Sequence, residues 1–193
     1  MGYAHAMTDG TTAGTAGDVR ALYARHGAEL RQALARLAPD VDADDLLQEL
    51  FVIALSKRAA LAAADSPRAW LYGVATKLAA SRRRTARLRR FLGLEPAQNL
   101  PAVDDSARTA EQRDAQRRVQ RALEGLSTAK REVFVLFELQ EVPGDEIARA
   151  LGIPLKTVWT RLYHARREVC AAVERQLLAE ARTSGLGRSE VRP

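Results

Sequence analysis

The side chains of this sequence are spaced for holding charged and aromatic partners, not for breaking bonds. No paired carboxylates, Ser–His or Cys–His set, or glycine-rich phosphate loop stands out, so no catalytic residue is expected. One cysteine, Cys170, and three scattered histidines, His5, His26 and His164, can neither close an internal disulfide nor build a metal cluster; no metal or cofactor is expected. What recurs is charge of one sign at a time. Within residues 40–49 every charged residue is acidic: Asp40, Asp42, Asp44, Asp45 and Glu49. Within residues 76–90 every one is basic: Lys77, Arg82, Arg83, Arg84, Arg87, Arg89 and Arg90. Two such runs can be solvated faces that attract one another, or separate docking faces, one for a basic protein surface and one for a polyanion. So dense a cationic run exceeds what solubility needs and suits a nucleic-acid backbone, with affinity that falls as salt rises. Trp70 and Tyr72 lie one turn ahead of it, where aromatic faces beside cations can stack on single-stranded bases. The competing role for Trp70 is an anchor in the core.

A second constellation spans residues 145–162, DEIARALGIPLKTVWTRL. A short helix stopped by Gly152, a tight turn through Ile153 and Pro154, and a second helix make a helix-turn-helix, whose second helix enters the major groove of duplex DNA. Its outward residues are Lys156, Thr157, Trp159, Thr160, Arg161, Tyr163, His164, Arg166 and Arg167. Arginine can pair with guanine, while lysine and threonine reach phosphates or base edges. A purely structural helix hairpin is the alternative.

The elements that must position these residues are helical throughout. Val19, Leu22, Tyr23, His26, Leu30, Ala33, Leu34 and Leu37 recur at steps of three and four, and Pro39 ends that helix. Asp42 caps a second helix near residues 43–57, with Leu47, Leu50, Phe51 and Ala54 inward. Residues 58–65 read as a loop. Ser66 and Pro67 open a third helix, which turns Leu71, Val74, Ala75 and Leu78 inward. Glycines, prolines and acids break the pattern after Phe91. Beyond that break Val119, Ala122, Leu123 and Leu126 form one stripe, Ser127 caps the next helix, and Pro143 opens the short one. The last helix turns Leu155, Val158, Leu162, Ala165, Val169 and Ala172 inward. The fold class is therefore all-α: a disordered tail over 1–17, a helical domain over 18–90, a flexible linker over 91–114, a helix-turn-helix domain over 115–178, and a C-terminal tail over 179–193 that frays from Thr183. With 193 residues and a formal charge of +6, the chain can bury real cores and favours an anionic partner. No apolar run approaches the ~18 residues of a membrane span, and the first seventeen residues do not read as a secretory signal.

These motifs resemble a known family. Residues 42–51, DADDLLQELF, are similar to the region-two signature DAEDLVQEVF of bacterial RNA polymerase sigma factors of the sigma-70 family. Residues 69–75, AWLYGVA, resemble AWLYRIA, and the stretch from Leu123 to Arg167 resembles region four. The short linker fits the extracytoplasmic-function (ECF) group. Gly73 stands where a larger residue is usual, Lys77 where asparagine is common, Pro154 at a Ser/Thr cap, Lys156 in place of a frequent glycine, and Trp159 and His164 where basic residues are usual.

The resemblance implies a cytoplasmic specificity subunit that is not itself catalytic. Asp44, Asp45, Gln48 and Glu49 would dock on the clamp helices of the largest polymerase subunit. Trp70, Tyr72, Lys77, Arg82, Arg83, Arg84 and Arg87 would hold the melted minus-ten element of promoter DNA. The second helix of the helix-turn-helix would read the minus-thirty-five element while its domain rests on the flap of the second-largest subunit. An anti-sigma factor is a further implied partner. The rival reading is a stand-alone helix-turn-helix regulator that binds duplex DNA without polymerase.

Overall fold

A computed structural model of the chain describes residues 18–94 and 109–186, and all regular structure among them is helical. Helix α1 (Val19–Leu37) starts where the Asp18 side chain accepts the Arg20 N–H. Helix α2 (Ala43–Ser56) is capped by Asp42, whose carboxylate accepts the N–H groups of Asp44 at 2.8 Å and Asp45 at 3.0 Å. The carboxylates of Asp44 and Asp45 in its first turn complement the helix dipole. A short helix α3 (Arg58–Ala62), pinned by buried Leu61, occupies the stretch expected to be loop. Helix α4 (Pro67–Phe91) opens as expected, with the Ser66 hydroxyl accepting from the Ala69 N–H and proline in the first turn. Helices α1, α2 and α4 close around Leu30, Leu34, Leu46, Leu50, Leu71 and Ala75. Tyr23, expected inward, is 50% exposed, because its ring leans edge-on against Phe51 at the rim of the bundle.

Helix α5 (Ala110–Glu124) begins five residues before the expected boundary at 115. The cause is a reciprocal cap: the Thr109 hydroxyl accepts the Gln112 N–H, and the Gln112 side chain accepts the Thr109 N–H. Ser127 precedes α6 (Thr128–Phe134), yet its side chain makes no cap bond; its carbonyl receives the N–H groups of Lys130 and Arg131. Helix α6 runs into one π turn (Val135–Leu139), which the residue spacing does not announce. Helix α7 (Gly144–Leu151) stops at Gly152, whose φ of 64° is the left-handed conformation glycine adopts without steric cost. The Ile153 N–H reaches back to the Ala148 carbonyl at 3.0 Å and completes the stop. Helix α8 (Leu155–Leu186) continues through residues 179–186, where a fraying tail was expected. Its inward stripe is Val158, Leu162, Ala165 and Val169, whereas Leu155 stays exposed where it lies over Gly144. The expected tail over 1–17 and most of the expected linker, residues 95–108, fall outside the described residues, as do residues 187–193.

The two helical units pack against one another, which a tethered arrangement did not anticipate. Helix α7 lies along α4, and the Arg36 guanidinium of α1 donates to the Leu139 carbonyl of the π turn at 2.7 Å.

One buried and one half-buried group of α6 set the electrostatics of the second unit. Arg131 is nearly inaccessible, and its guanidinium donates to the carbonyls of Leu123 at 2.7 Å, Glu124 at 3.0 Å and Leu126 at 3.2 Å. It thereby ties down the carbonyl end of α5, where the Leu123 carbonyl also receives the Leu126 N–H. Glu132 is pushed up to about 7 by burial, against the pull of Arg161. Replacing Arg131 with alanine removes all three of these bonds and should lower stability by about 2–4 kcal/mol in urea unfolding. Because the Glu132 pKa is higher in the folded than in the unfolded chain, its contribution is fully favourable below pH 4.5 and is lost as pH rises through 7. Glu132→Gln should therefore flatten the decline of melting temperature between pH 5 and pH 8 and raise it at pH 8 by roughly 2–4 °C, after discounting for partial exposure.

Candidate nucleic-acid and protein interfaces

The acidic run on α2 divides into neutralised and available groups. Arg31 of α1 grips Asp44 through two bonds of 2.6 and 2.9 Å, which hold the Asp44 carboxyl below its ordinary range. Arg82 donates twice to Glu49, at 3.0 and 2.6 Å, and Arg90 pairs with Asp40 at 2.7 Å. Mutual attraction between the two runs is thus realised for Glu49 and Asp40. Asp45 and Gln48 face solvent. One and two turns further along the same ridge stand Val52 and Leu55, 63% and 53% exposed. The ridge is therefore acidic at one end and apolar at the other. Sequence reasoning missed Val52 and Leu55; their phase, off the inward stripe of α2, was the available signal.

Helix α4 sorts its candidates by angle. Trp70, Lys77 and Arg84 are seven residues apart, so they share one ridge. Trp70 is half-buried against the core, which combines the two roles weighed for it, while Lys77, Arg84 and the flanking Arg87 are exposed. Arg82 is committed to Glu49. Arg83 is turned inward, donates to the Leu37 carbonyl at 3.5 Å, and has its pKa lowered by burial. Tyr72 corrects the expectation of an aromatic pair: it is 0% exposed and no base can stack on it in this arrangement. Residues two apart on a helix point some 200° from each other, so Trp70 and Tyr72 cannot share a face. Burial, with Glu29 nearby, raises the Tyr72 pKa, and the Arg68 guanidinium lies over the ring at 5.1 Å.

On α8 the outermost stripe is Lys156, Thr160, Tyr163 and Arg167, at helical spacing and all exposed. The Thr160 hydroxyl donates to the Lys156 carbonyl at 3.0 Å, and the Arg167 guanidinium covers the Tyr163 ring at 5.7 Å. The Tyr163 ring meets His164 edge-on at 5.3 Å. Thr157 and Arg161 are half-buried on one flank. On the other flank Trp159 meets Phe137 edge-on at 5.4 Å and lies against Gly144. Arg166 donates to Glu138 at 2.5 Å and sits over Phe137. Trp159 and Arg166 therefore also join α8 to α7 and to the π turn. A groove between α5 and α8 is floored by Ala122, Leu126 and Ala172 and rimmed by Arg167, Glu168 and Arg175. Among the described residues no group of side chains could hold a metal ion, and no helix is long and apolar enough to cross a membrane.

Both helical units match known families. The Sigma-70 region 2 family matches residues 22–89, which is the α1–α4 bundle, and the Sigma-70, region 4 family matches residues 116–169. The RNA polymerase sigma factor CnrH of Cupriavidus metallidurans is 33% identical over 162 residues, covering 79% of this chain and 85% of that protein. The ECF RNA polymerase sigma factor SigL of Mycobacterium tuberculosis is 32% identical over 166 residues, covering 84% and 92%. The solved structure of CnrH in complex with the cytosolic domain of CnrY has a TM-score of 0.58 at 30% identity, over 82% of this chain and 90% of that one. The sigma factor RpoE of Bartonella quintana, solved with the anti-sigma factor NepR, shares the fold with a TM-score of 0.64 at 19% identity, over 81% and 97%. With both sigma regions present in order and named relatives matched along most of its length, the chain belongs to the ECF group of the sigma-70 family of RNA polymerase sigma factors.

Proposed function

We propose that the chain is a dissociable, non-catalytic subunit that works in the cytoplasm, binds bacterial core RNA polymerase and directs it to promoters. The observation that carries this reading is the region-two bundle, with its exposed Asp45–Gln48 ridge beside the cationic ridge of α4, on the same chain as a helix-turn-helix. A stand-alone duplex-binding regulator would use α5–α8 and leave that bundle without a purpose. In our reading Asp45 and Gln48, extended by Val52 and Leu55, meet the clamp helices, with Asp44 and Glu49 exchanging their internal arginines for polymerase cations. Trp70, Lys77, Arg84 and Arg87 hold the opened minus-ten strand. Lys156, Thr160, Tyr163 and Arg167 face the minus-thirty-five duplex, and the groove between α5 and α8 takes the flap. Stacking contributes about 1–3 kcal/mol per captured base. Two or three captured bases therefore offset the few kcal/mol that unstacking costs. An anti-sigma factor would hold the subunit in reserve, as the solved relatives with CnrY and NepR suggest.

Two measurements test this. Asp45→Lys should weaken binding to purified core polymerase at least tenfold by placing like charges in contact; unchanged co-elution would overturn the reading. Lys156→Ala and Arg167→Ala should each cost about 1–3 kcal/mol on minus-thirty-five duplex if they reach base edges, or act uniformly across sequences with a shallower salt dependence if they bind phosphate.

A further inference from the structure

We infer that Phe91, at the far end of α4, is a second stacking platform for single-stranded DNA, so that the strand path along this helix ends on an aromatic ring at both limits and has a fixed length. The inference deepens the function proposed above and rests on it for the source of the strand. From Trp70, steps of seven lead through Lys77 and Arg84 to Phe91. Positions seven apart drift by only about 20° per step, so all four belong to one slowly winding ridge. At about 1.5 Å per residue the two aromatic positions stand roughly 31 Å apart along the helix axis.

Phe91 is 88% exposed, the most of the exposed large hydrophobic side chains among the described residues. A ring so placed adds almost nothing to the core. Its helix end is nevertheless well formed. The Gly93 N–H meets the Arg90 carbonyl at 3.1 Å and the Leu94 N–H meets the Arg89 carbonyl at 3.0 Å, with Gly93 at a φ of 68°. This paired closure ends a helix in register and holds Phe91 within regular structure. Leu88, one turn earlier, and Leu92, beside the ring, are 58% and 57% exposed and extend the apolar surface on which a base can lie.

The charges along the ridge suit a nucleic-acid backbone. Lys77 and Arg84 lie on it, and exposed Arg87 stands one turn before Phe91. Glu49 and Asp40 alongside are bound by Arg82 and Arg90, which leaves the ridge cationic. An aromatic face flanked by cations holds unstacked bases with little regard to sequence. Buried Tyr72 cannot complete such a pair with Trp70, whereas Phe91 can, from the opposite end. The span between the rings takes roughly nine nucleotides at the 3.4 Å rise of a duplex strand, and fewer as the strand extends. Phe91 therefore sets the limit of the single strand that α4 holds.

The test titrates the full chain with labelled thymidine oligonucleotides of graded length, from about three to about sixteen nucleotides. A strand too short to reach both rings can use either one, so Phe91→Ala should cost it no more than about twofold. A strand that spans them should lose about five- to a hundredfold. Phe91→Trp should keep the parent affinity and Phe91→Leu should not, because an aliphatic side chain has no π face. With the ring so exposed, circular dichroism should be the same for every variant. Equal losses on short and long strands overturn the platform. Full affinity in Phe91→Leu also overturns it and assigns the patch to an apolar partner such as a lipid surface, and a parent dimer that Phe91→Ala dissociates in sedimentation overturns it in favour of a second copy. Binding of the parent chain to core polymerase is read separately. If that binding is absent, the sigma-factor function falls while the length dependence still upholds or overturns the platform; if it is present without the length dependence, only the platform falls.

Discussion

Helix α4 serves three partners at once, and the 3.6-residue period dictates how. One side, with Leu71, Ala75 and Leu78, fills the bundle with α1 and α2. A second side, with Gly73 and Tyr72, faces the crossing with α7. The remaining ridge through Trp70, Lys77 and Arg84 is turned toward solvent. The aromatic and basic residues that look like one cluster in the sequence are therefore parcelled out among core, crossing and solvent, with Trp70 at the border of core and solvent.

Electrostatics follows the same division. The first unit places cations opposite half of its acids: Arg31 on Asp44, Arg82 on Glu49, Arg90 on Asp40 and Arg68 on Glu29. The Glu29 carboxyl feels burial, which raises its pKa, yet the bonds from Arg68 and His26 prevail and hold it below its ordinary value. Exposed pairs of this kind add little stability each. Their effect is on what remains: they cancel charge locally and leave Asp45 on one side, and Lys77, Arg84 and Arg87 on another, as the groups that project a field outward.

Much of this was legible from residue order. The caps by Asp42 and Ser66, the stop at Gly152 and the helix-turn-helix are local devices, each set within a few residues, and each stands where spacing places it. The capping box at Thr109 and Gln112 is written in the spacing of those residues too, but no apolar period around it marks the start of a helix. What sequence spacing could not supply were the long-range decisions. Arg131 looks like any basic helix residue until the end of α5 is laid beside it. Tyr72 and Arg83 look available until α7 and α6 pack near them. The π turn leaves no compositional mark, because it answers a demand of packing.

That turn has a cost and a yield in geometry. Between Val135 and Leu139 the backbone bonds reach one residue further than in an α-helix, with the Gln140 N–H meeting the Val135 carbonyl at 3.1 Å. One extra residue in a helical turn rotates everything downstream by about 100° relative to the frame of α6. Phe137 and Glu138 are thereby swung toward Trp159 and Arg166. The heading of α8 is thus written into the length of its predecessor, and shortening this segment by a single residue would re-aim the whole motif without altering any side chain on the outer stripe of α8.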